Sequence, residues 1–304
     1  MSEPPVSPPL PTGGRAWLAG ARPRTLPAAI VPVLVGTACA AGEADIVAWR
    51  AVAAGLVALL LQVGTNFAND YSDGVRGTDA PGLRVGPVRL VGWGVRPAGA
   101  VKRVALACFG GAALAGLALT VAVGPQLLVV GTAAIAAGWF YTGGSHPYGY
   151  YGFGELFVFV FFGLVATVGA AYVQHERLTL LAVVAAVPVG LLATALLVIN
   201  NLRDIPGDTE SGKRTLAVRL GEGRTRGLYV GLLVLAFIGV PTVAGGFNRP
   251  WAAAAMIGCV LARRPVLRVL EGARGRELIP VLGATGQVQL ITGALLALGI
   301  WLAP

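Results

Sequence analysis

Residues 178–210 read LTLLAVVAAVPVGLLATALLVINNLRDIPGDTE. No position from 178 to 202 carries a formal charge, and then Arg203, Asp204, Asp208 and Glu210 follow in quick order. An uncharged apolar run of that length is what a helix needs to cross the roughly 30 Å hydrocarbon core of a bilayer. The polar residues begin where such a helix would leave it. Working outward, similar charge-poor runs fall near 25–42, 51–69, 104–122, 126–141, 156–174, 227–248, 250–262 and 278–304. No formal charge interrupts 104–154, which is too long for one helix, and Gly124-Pro125 is the place to turn. The run 250–262 is short for a span, with Arg263 and Arg264 placed to snorkel at its end.

Composition agrees with this reading. Of 304 residues, 56% are apolar, 12% are charged and 44 are Gly, and the mean hydropathy is +0.74. A soluble domain carries about 25% charged residues, so too little charge is present to cover a water-facing surface. An ordinary soluble enzyme, a disordered tail and a nucleic-acid binder are excluded. The expectation is an all-α membrane protein of nine transmembrane helices. It occupies 21–304, behind a flexible cytoplasmic tail over 1–20 whose first eleven residues hold five prolines and no apolar leader. Cys39, Cys108 and Cys259 lie singly in apolar runs, a pattern of small buried hydrophobes and not of a disulfide or zinc framework.

The net charge is +9, and the basic residues sit in short blocks. Arg15, Arg22 and Arg24 precede the first run. Arg76, Arg84, Arg89, Arg96, Lys102 and Arg103 lie in the loop 70–103. Arg203, Lys213, Arg214, Arg219, Arg224 and Arg226 lie in 203–226, and Arg263, Arg264, Arg268, Arg274 and Arg276 in 263–277. Nine alternating spans place all of these on one side and leave Arg50, Arg177 and Arg249 opposite. By the positive-inside tendency the N-terminus and these loops face the cytoplasm.

Two acidic clusters end runs on that same side. One is Asn66-Phe-Ala-Asn-Asp70-Tyr-Ser-Asp73, continuing to Asp79; the other is Asn200-Asn-Leu-Arg-Asp204-Ile-Pro-Gly-Asp208. Asn66 and Asp70, Asn200 and Asp204, and Asp204 and Asp208 are spaced i, i+4, on one helical face for as long as the helix lasts. Pro206-Gly207 is expected to end or distort the second helix, with Asp208 reaching in from a turn. Carboxylates gathered at a membrane surface repel unless a cation joins them, and an all-oxygen Asp/Asn set suits Mg²⁺ with phosphate oxygens. The alternative is that Asp and Asn merely end helices and pair with nearby Arg. An anionic diphosphate would draw Lys213 and Arg214, then Arg76. The loop 74–100, rich in Gly and Pro, reads either as a cover for the site or as an irregular surface connection.

These residues resemble the UbiA superfamily of intramembrane aromatic prenyltransferases. Within it, NFANDYSDGVRGTD (66–79), YTGGSHPYGYYGFGELFVFVFFG (141–163), NNLRDIPGDTESGKRTLAVRLG (200–221) and RPRTLPAAIVPVLVGTA (22–38) are similar to the 1,4-dihydroxy-2-naphthoate polyprenyltransferases. The resemblance covers the first six spans; beyond about residue 225 it rests on hydropathy. It implies a helical bundle around a central cavity with a lateral opening to lipid, in a bacterial plasma membrane with the site facing the cytoplasm. The implied reaction is Mg²⁺-dependent transfer of a long prenyl chain from its diphosphate to 1,4-dihydroxy-2-naphthoate, with loss of CO2, giving demethylmenaquinone. By position it implies Asn66, Asp70, Asp73, Asp204 and Asp208 as the Mg²⁺–diphosphate set, with Asn200 adjacent.

The residues give the same chemistry a physical form. Cleaving an allylic C–O bond builds charge on diphosphate, which Mg²⁺ and Lys213 or Arg214 would stabilise, and leaves a carbocation that needs a dry cavity. Tyr141, Tyr148, Tyr150 and Tyr151 flank the Gly-rich turn 142–154, either to stabilise that cation or as interfacial anchors. His146 sits in the same turn, facing either the acceptor carboxylate or solvent. Asp73 is a candidate to take the acceptor's hydroxyl proton. Two rival readings stay open: the same chemistry on 4-hydroxybenzoate, homogentisate or chlorophyllide, and a membrane cation transporter. Transport predicts ionisable residues at mid-bilayer, whereas these acids sit at helix ends on one side.

Overall fold

A computed structural model of the protein describes residues 10–41, 43–79, 86 and 88–302. These form ten helices: α1 (Gly13–Ala21), α2 (Pro27–Ala40), α3 (Ala48–Val75), α4 (Ala98–Val123), α5 (Gln126–Phe140), α6 (Gly154–His175), α7 (Leu180–Glu210), α8 (Leu216–Gly246), α9 (Ile257–Leu270) and α10 (Leu278–Trp301). Every charge-poor run therefore becomes helical, including 250–262, which divides between a 3₁₀ stretch, Pro250–Met256, and α9. The expected nine spans do not all survive. Among the described residues six helices are long and apolar enough to cross a membrane, or seven when the bent pair Gly13–Thr25 and Pro27–Ala40, 51° apart, is one span. The shortfall is one of length. The 15 residues of α5 rise only about 22 Å, and the uncharged part of α9 is shorter still.

The region expected as a flexible tail over 1–20 includes most of α1, whose Ala16 and Gly20 are buried. Gly20 packs on the Phe67 ring and Leu90, at distances that leave no room for a methyl group. Residues 1–9, Arg84 and part of the loop 74–100 lie outside the described residues.

The helix α7 is the central post. Of its most apolar window 72% is buried inside the protein, against 28% for α3, α4 and α6. Its Leu192, Leu196 and Ile199 pack on Leu233 and Phe237 of α8 and Leu282 of α10. Pro206 does not end it: α7 runs through Pro206-Gly207 to Glu210. A proline there forfeits one hydrogen bond, and the preceding turns are held on every side. Asp208 therefore lies on the last helical turn.

The helix α6 contains a π-helical stretch, Phe159–Val165. Beside it Gly163 meets Gly190 of α7 so closely that a Cβ on Gly163 would lie 2.5 Å from the Gly190 Cα. At the end of the bundle away from the acidic clusters, Arg50 donates to Val173 O (3.0 Å), Ala122 O (3.1 Å) and Glu176 (3.1 Å), satisfying open carbonyls at the ends of α4 and α6. Arg249 donates to Ile300 O at that same end. Arg177, the third basic residue expected at this end, lies 3.7 Å from Glu43.

Candidate active site

The acid-bearing ends of α3 and α7 meet at the mouth of a cavity of about 850 Å³. Its polar end is lined by Asn66, Asn69 and Asp73 of α3, by Asn200, Asn201, Arg203 and Asp208 of α7, and by Lys213, Arg89 and Arg22. Deeper in, Phe157, Phe161 and Phe162 of α6 and Leu127, Val130 and Ile135 of α5 make it apolar. The helix α5 packs mainly on α3 and α4 and not on α6, although α6 follows it in sequence. Leu128 and Val130 of its wall are 49% and 41% exposed. The cavity thus has an apolar side that reaches the lipid-facing surface.

The structure divides the candidate carboxylates into two kinds. Asp73 and Asp208 line the cavity. Asp73 accepts from Tyr150 Oη through Oδ1 (2.6 Å) and from Lys213 Nζ through Oδ2 (2.8 Å). Lys213 in turn reaches the site because its own backbone N–H closes on Asp208 O (2.8 Å) at the end of α7. Asp70 and Asp204 are buried close by but do not line the cavity. Asp70 accepts the backbone N–H groups of Leu90 and Val91 on separate oxygens, each at 2.9 Å. Asp204 is held bidentately by Arg203, at 2.7 Å from Nε and 2.7 Å from Nη2.

The four amides all line the cavity, each held by a neighbour. Asn66 donates to Ala21 O (2.9 Å) and Thr25 Oγ1 (3.2 Å), tying α3 to the α1–α2 corner. Asn200 accepts from Arg203 Nη2 (2.9 Å), and Asn69 accepts from Thr142 Oγ1 (2.8 Å). Asn201 donates to the buried Glu155 (2.9 Å). Among the described residues no three His, Cys, Asp or Glu side chains gather as a metal nest.

The remaining candidates separate as well. Arg76 lies off the cavity wall: its guanidinium donates to the carbonyls of Thr142 and Gly144, clamping the turn after α5. Arg214 is exposed and meets Tyr150 only through its backbone N–H, donating to Tyr150 O (2.9 Å). Tyr141 and Tyr148 line the cavity, with rings 5.5 Å apart, and Tyr148 stacks on Phe157 at 3.9 Å. Burial pushes both phenols above the usual tyrosine range, so both stay neutral. His146 is exposed, stacked on Tyr151 outside the cavity.

The UbiA prenyltransferase family matches residues 29–276. The chain belongs to the UbiA prenyltransferase family. Among curated UbiA relatives, the 1,4-dihydroxy-2-naphthoate octaprenyltransferase of Mycobacterium tuberculosis is 50% identical over 275 residues, 90% of this chain and 93% of that one. The Escherichia coli enzyme of the same name is 39% identical over 300 residues, covering 95% and 96%. Two solved UbiA homologues share the fold. One from Aeropyrum pernix has a TM-score of 0.65 at 15% identity, covering 90% of this chain and 96% of that one. One from Archaeoglobus fulgidus, solved with DMAPP and Mg²⁺, has a TM-score of 0.62 at 16% identity, covering 94% and 98%.

Within this UbiA site, sequence reasoning passes over Asn69, Asn201 and Arg203, and reads Tyr150 only as a cation stabiliser or an interfacial anchor and not as a partner of Asp73. A signal for the first existed: the spacing NxxxD occurs twice in α3, as Asn66–Asp70 and as Asn69–Asp73. Both Asn69 and Asp73 line the cavity, whereas only Asn66 of the other pair does. The two frames lie only about 60° apart around the helix, and packing chooses between them.

Proposed function

We propose that this chain transfers a polyprenyl group from its diphosphate to 1,4-dihydroxy-2-naphthoate, releasing diphosphate and CO2 and giving demethylmenaquinone. The observation that carries the reading is the convergence of Asp73, Asp208 and Lys213 at one end of an aromatic-lined apolar cavity open toward lipid. The diphosphate belongs at the charged end and the prenyl chain along α5 and α6. The named relatives, alike over nearly their whole length, support the naphthoate acceptor. The charged end lies opposite the end that holds Arg50 and Arg249, on the side to which the positive-inside reading of the sequence assigns most of the basic residues, which supports a cytoplasmic-facing site in a bacterial plasma membrane.

The donor set suits Mg²⁺. Two cavity-facing carboxylates with neighbouring amide oxygens leave positions for phosphate oxygens, the usual arrangement for this ion. Asp73 and Asp208, with Asn69 and Asn200 beside them, would hold it, and the homologue solved with DMAPP and Mg²⁺ supports the pairing. The ion would supply positive charge to the departing diphosphate.

The chain's own residues do the rest. Lys213 is fixed by Asp73 at the rim and draws the phosphate oxygens. Tyr150 donates to Asp73, and burial with the Asp73 charge holds its phenol well above the usual range, so it remains a donor. Phe157, Phe161 and Phe162 exclude water from the allylic carbon and present ring faces to it. Tyr141 and Tyr148 stand where an aromatic acceptor would stack.

Purified protein in detergent, given Mg²⁺, farnesyl diphosphate and dihydroxynaphthoate, is expected to form the prenylated quinone. It should not do so with 4-hydroxybenzoate or homogentisate; preference for either would reassign the acceptor. Among the described lining residues the formal charges sit at one end of the cavity only, which does not favour a path for ion transport.

A further inference from the structure

We infer that Arg89 is a diphosphate-binding residue and that Asp70 acts through it, as a positioning residue holding its loop against the site. Arg89 is 4% exposed and lines the cavity. Its Nε lies 3.2 Å from Asp79 Oδ2, and its Nη1 is buried with no hydrogen-bond partner. A guanidinium brings five donors in a fixed fork, and leaving one buried and unmatched costs free energy unless a ligand meets it. At the rim of this cavity the fitting ligand is an anion with several acceptor oxygens. That class follows from the diphosphate reading above, on which the inference rests.

Three contacts hold Arg89 in place. Asp70, 1% exposed, accepts the N–H groups of the next two residues, Leu90 and Val91, one on each carboxylate oxygen. Leu90 is fully buried and packs with Phe67 and Ala16 of α3 and α1. Gly74 lies against Val91 so tightly that a Cβ would come within 2.5 Å of the valine Cβ. A carboxylate suits two converging N–H donors because both oxygens accept. In Asp70→Asn one of those donors would face an NH₂ group, and the segment after Arg89 would be released.

The test is a double-mutant cycle in the purified full chain with farnesyl diphosphate and dihydroxynaphthoate. Arg89→Gln and Asp70→Asn should each raise KM for farnesyl diphosphate about ten- to a hundredfold, the range for a lost charged hydrogen bond. KM for the acceptor and the Mg²⁺ concentration for half-maximal rate should stay unchanged. Because both act through one contact, the double variant should be no worse than the poorer single. Hydrogen exchange at 89–92 should quicken in Asp70→Asn and not in Arg89→Gln. Additive losses, or a Mg²⁺ requirement shifted by Asp70→Asn, would overturn the inference and make Asp70 a metal ligand instead. Inorganic pyrophosphate that fails to compete with farnesyl diphosphate in the wild type would undo the diphosphate reading. Competition equal in wild type and Arg89→Gln would undo only this one.

Discussion

Lys213 Nζ and Asp73 Oδ2 lie 2.8 Å apart although 140 positions separate them in the chain. Both side chains are nearly sealed from solvent, at 5% and 3% exposure. This pair fastens the end of α3 to the turn that follows α7. Removing one partner of a buried ion pair leaves the other charge stranded, at a cost of about 3–5 kcal/mol. Lys213→Met should therefore lower the thermal midpoint in detergent. It should also cut turnover roughly a hundredfold or more, as loss of a charge-stabilising donor does. Unchanged stability with lost turnover would mean that the lysine serves substrate alone.

Tyr150 bridges the same pair, donating to Asp73 at 2.6 Å with Lys213 4.8 Å above its ring. Ionising it would place a phenolate against a carboxylate in a buried site. Its pKa is therefore raised, first by burial and then by Asp73. The hydroxyl stays protonated past the ordinary tyrosine range near 10. Tyr150→Phe should lower kcat about tenfold through the lost hydrogen bond. The shape of the pH–rate profile below about pH 10 should not change. An alkaline limb present in wild type and absent in Tyr150→Phe would contradict this.

Arg76 bears on the aromatic turn and not on the diphosphate. It clamps the Thr142 and Gly144 carbonyls at the start of the segment that carries Tyr148. Arg76→Gln is expected to raise KM for dihydroxynaphthoate several-fold while KM for the prenyl diphosphate holds, as steady-state kinetics with each substrate varied would show. The opposite split would return Arg76 to the diphosphate.

The Gly163–Gly190 crossing is a packing constraint. Gly163→Val inserts a branched side chain where even a methyl has no space, and overpacking of this kind costs about 1–3 kcal/mol. Thermal unfolding should show the loss, with α6 displaced from α7 and the cavity wall disturbed.

Much of this was legible in the sequence because charge and hydropathy report directly on a bilayer. The run 178–202 marks α7, and Gly124-Pro125 marks the turn between α4 and α5. The two acidic clusters mark the end of the bundle where the cavity opens. What could not be read was the direction of side chains sharing almost the same helical face. Asp70 and Asp73 differ by three positions, yet one turns to the backbone of residues 90 and 91 and the other to the cavity. Asp204 has its partner beside it in sequence, but local spacing does not reveal that Arg203 folds back on it. Pro206 signalled a helix end that packing around α7 overrode, and no residue pattern announces the π-helical stretch in α6.

The most direct test of the central claim, that Asp73 and Asp208 serve one diphosphate-cleaving site, is turnover of Asp73→Ala and Asp208→Ala with Mg²⁺, farnesyl diphosphate and dihydroxynaphthoate. Both should lose nearly all quinone formation, as should the wild type in EDTA, with thermal unfolding confirming that each variant is folded. Full turnover in either variant would contradict the account.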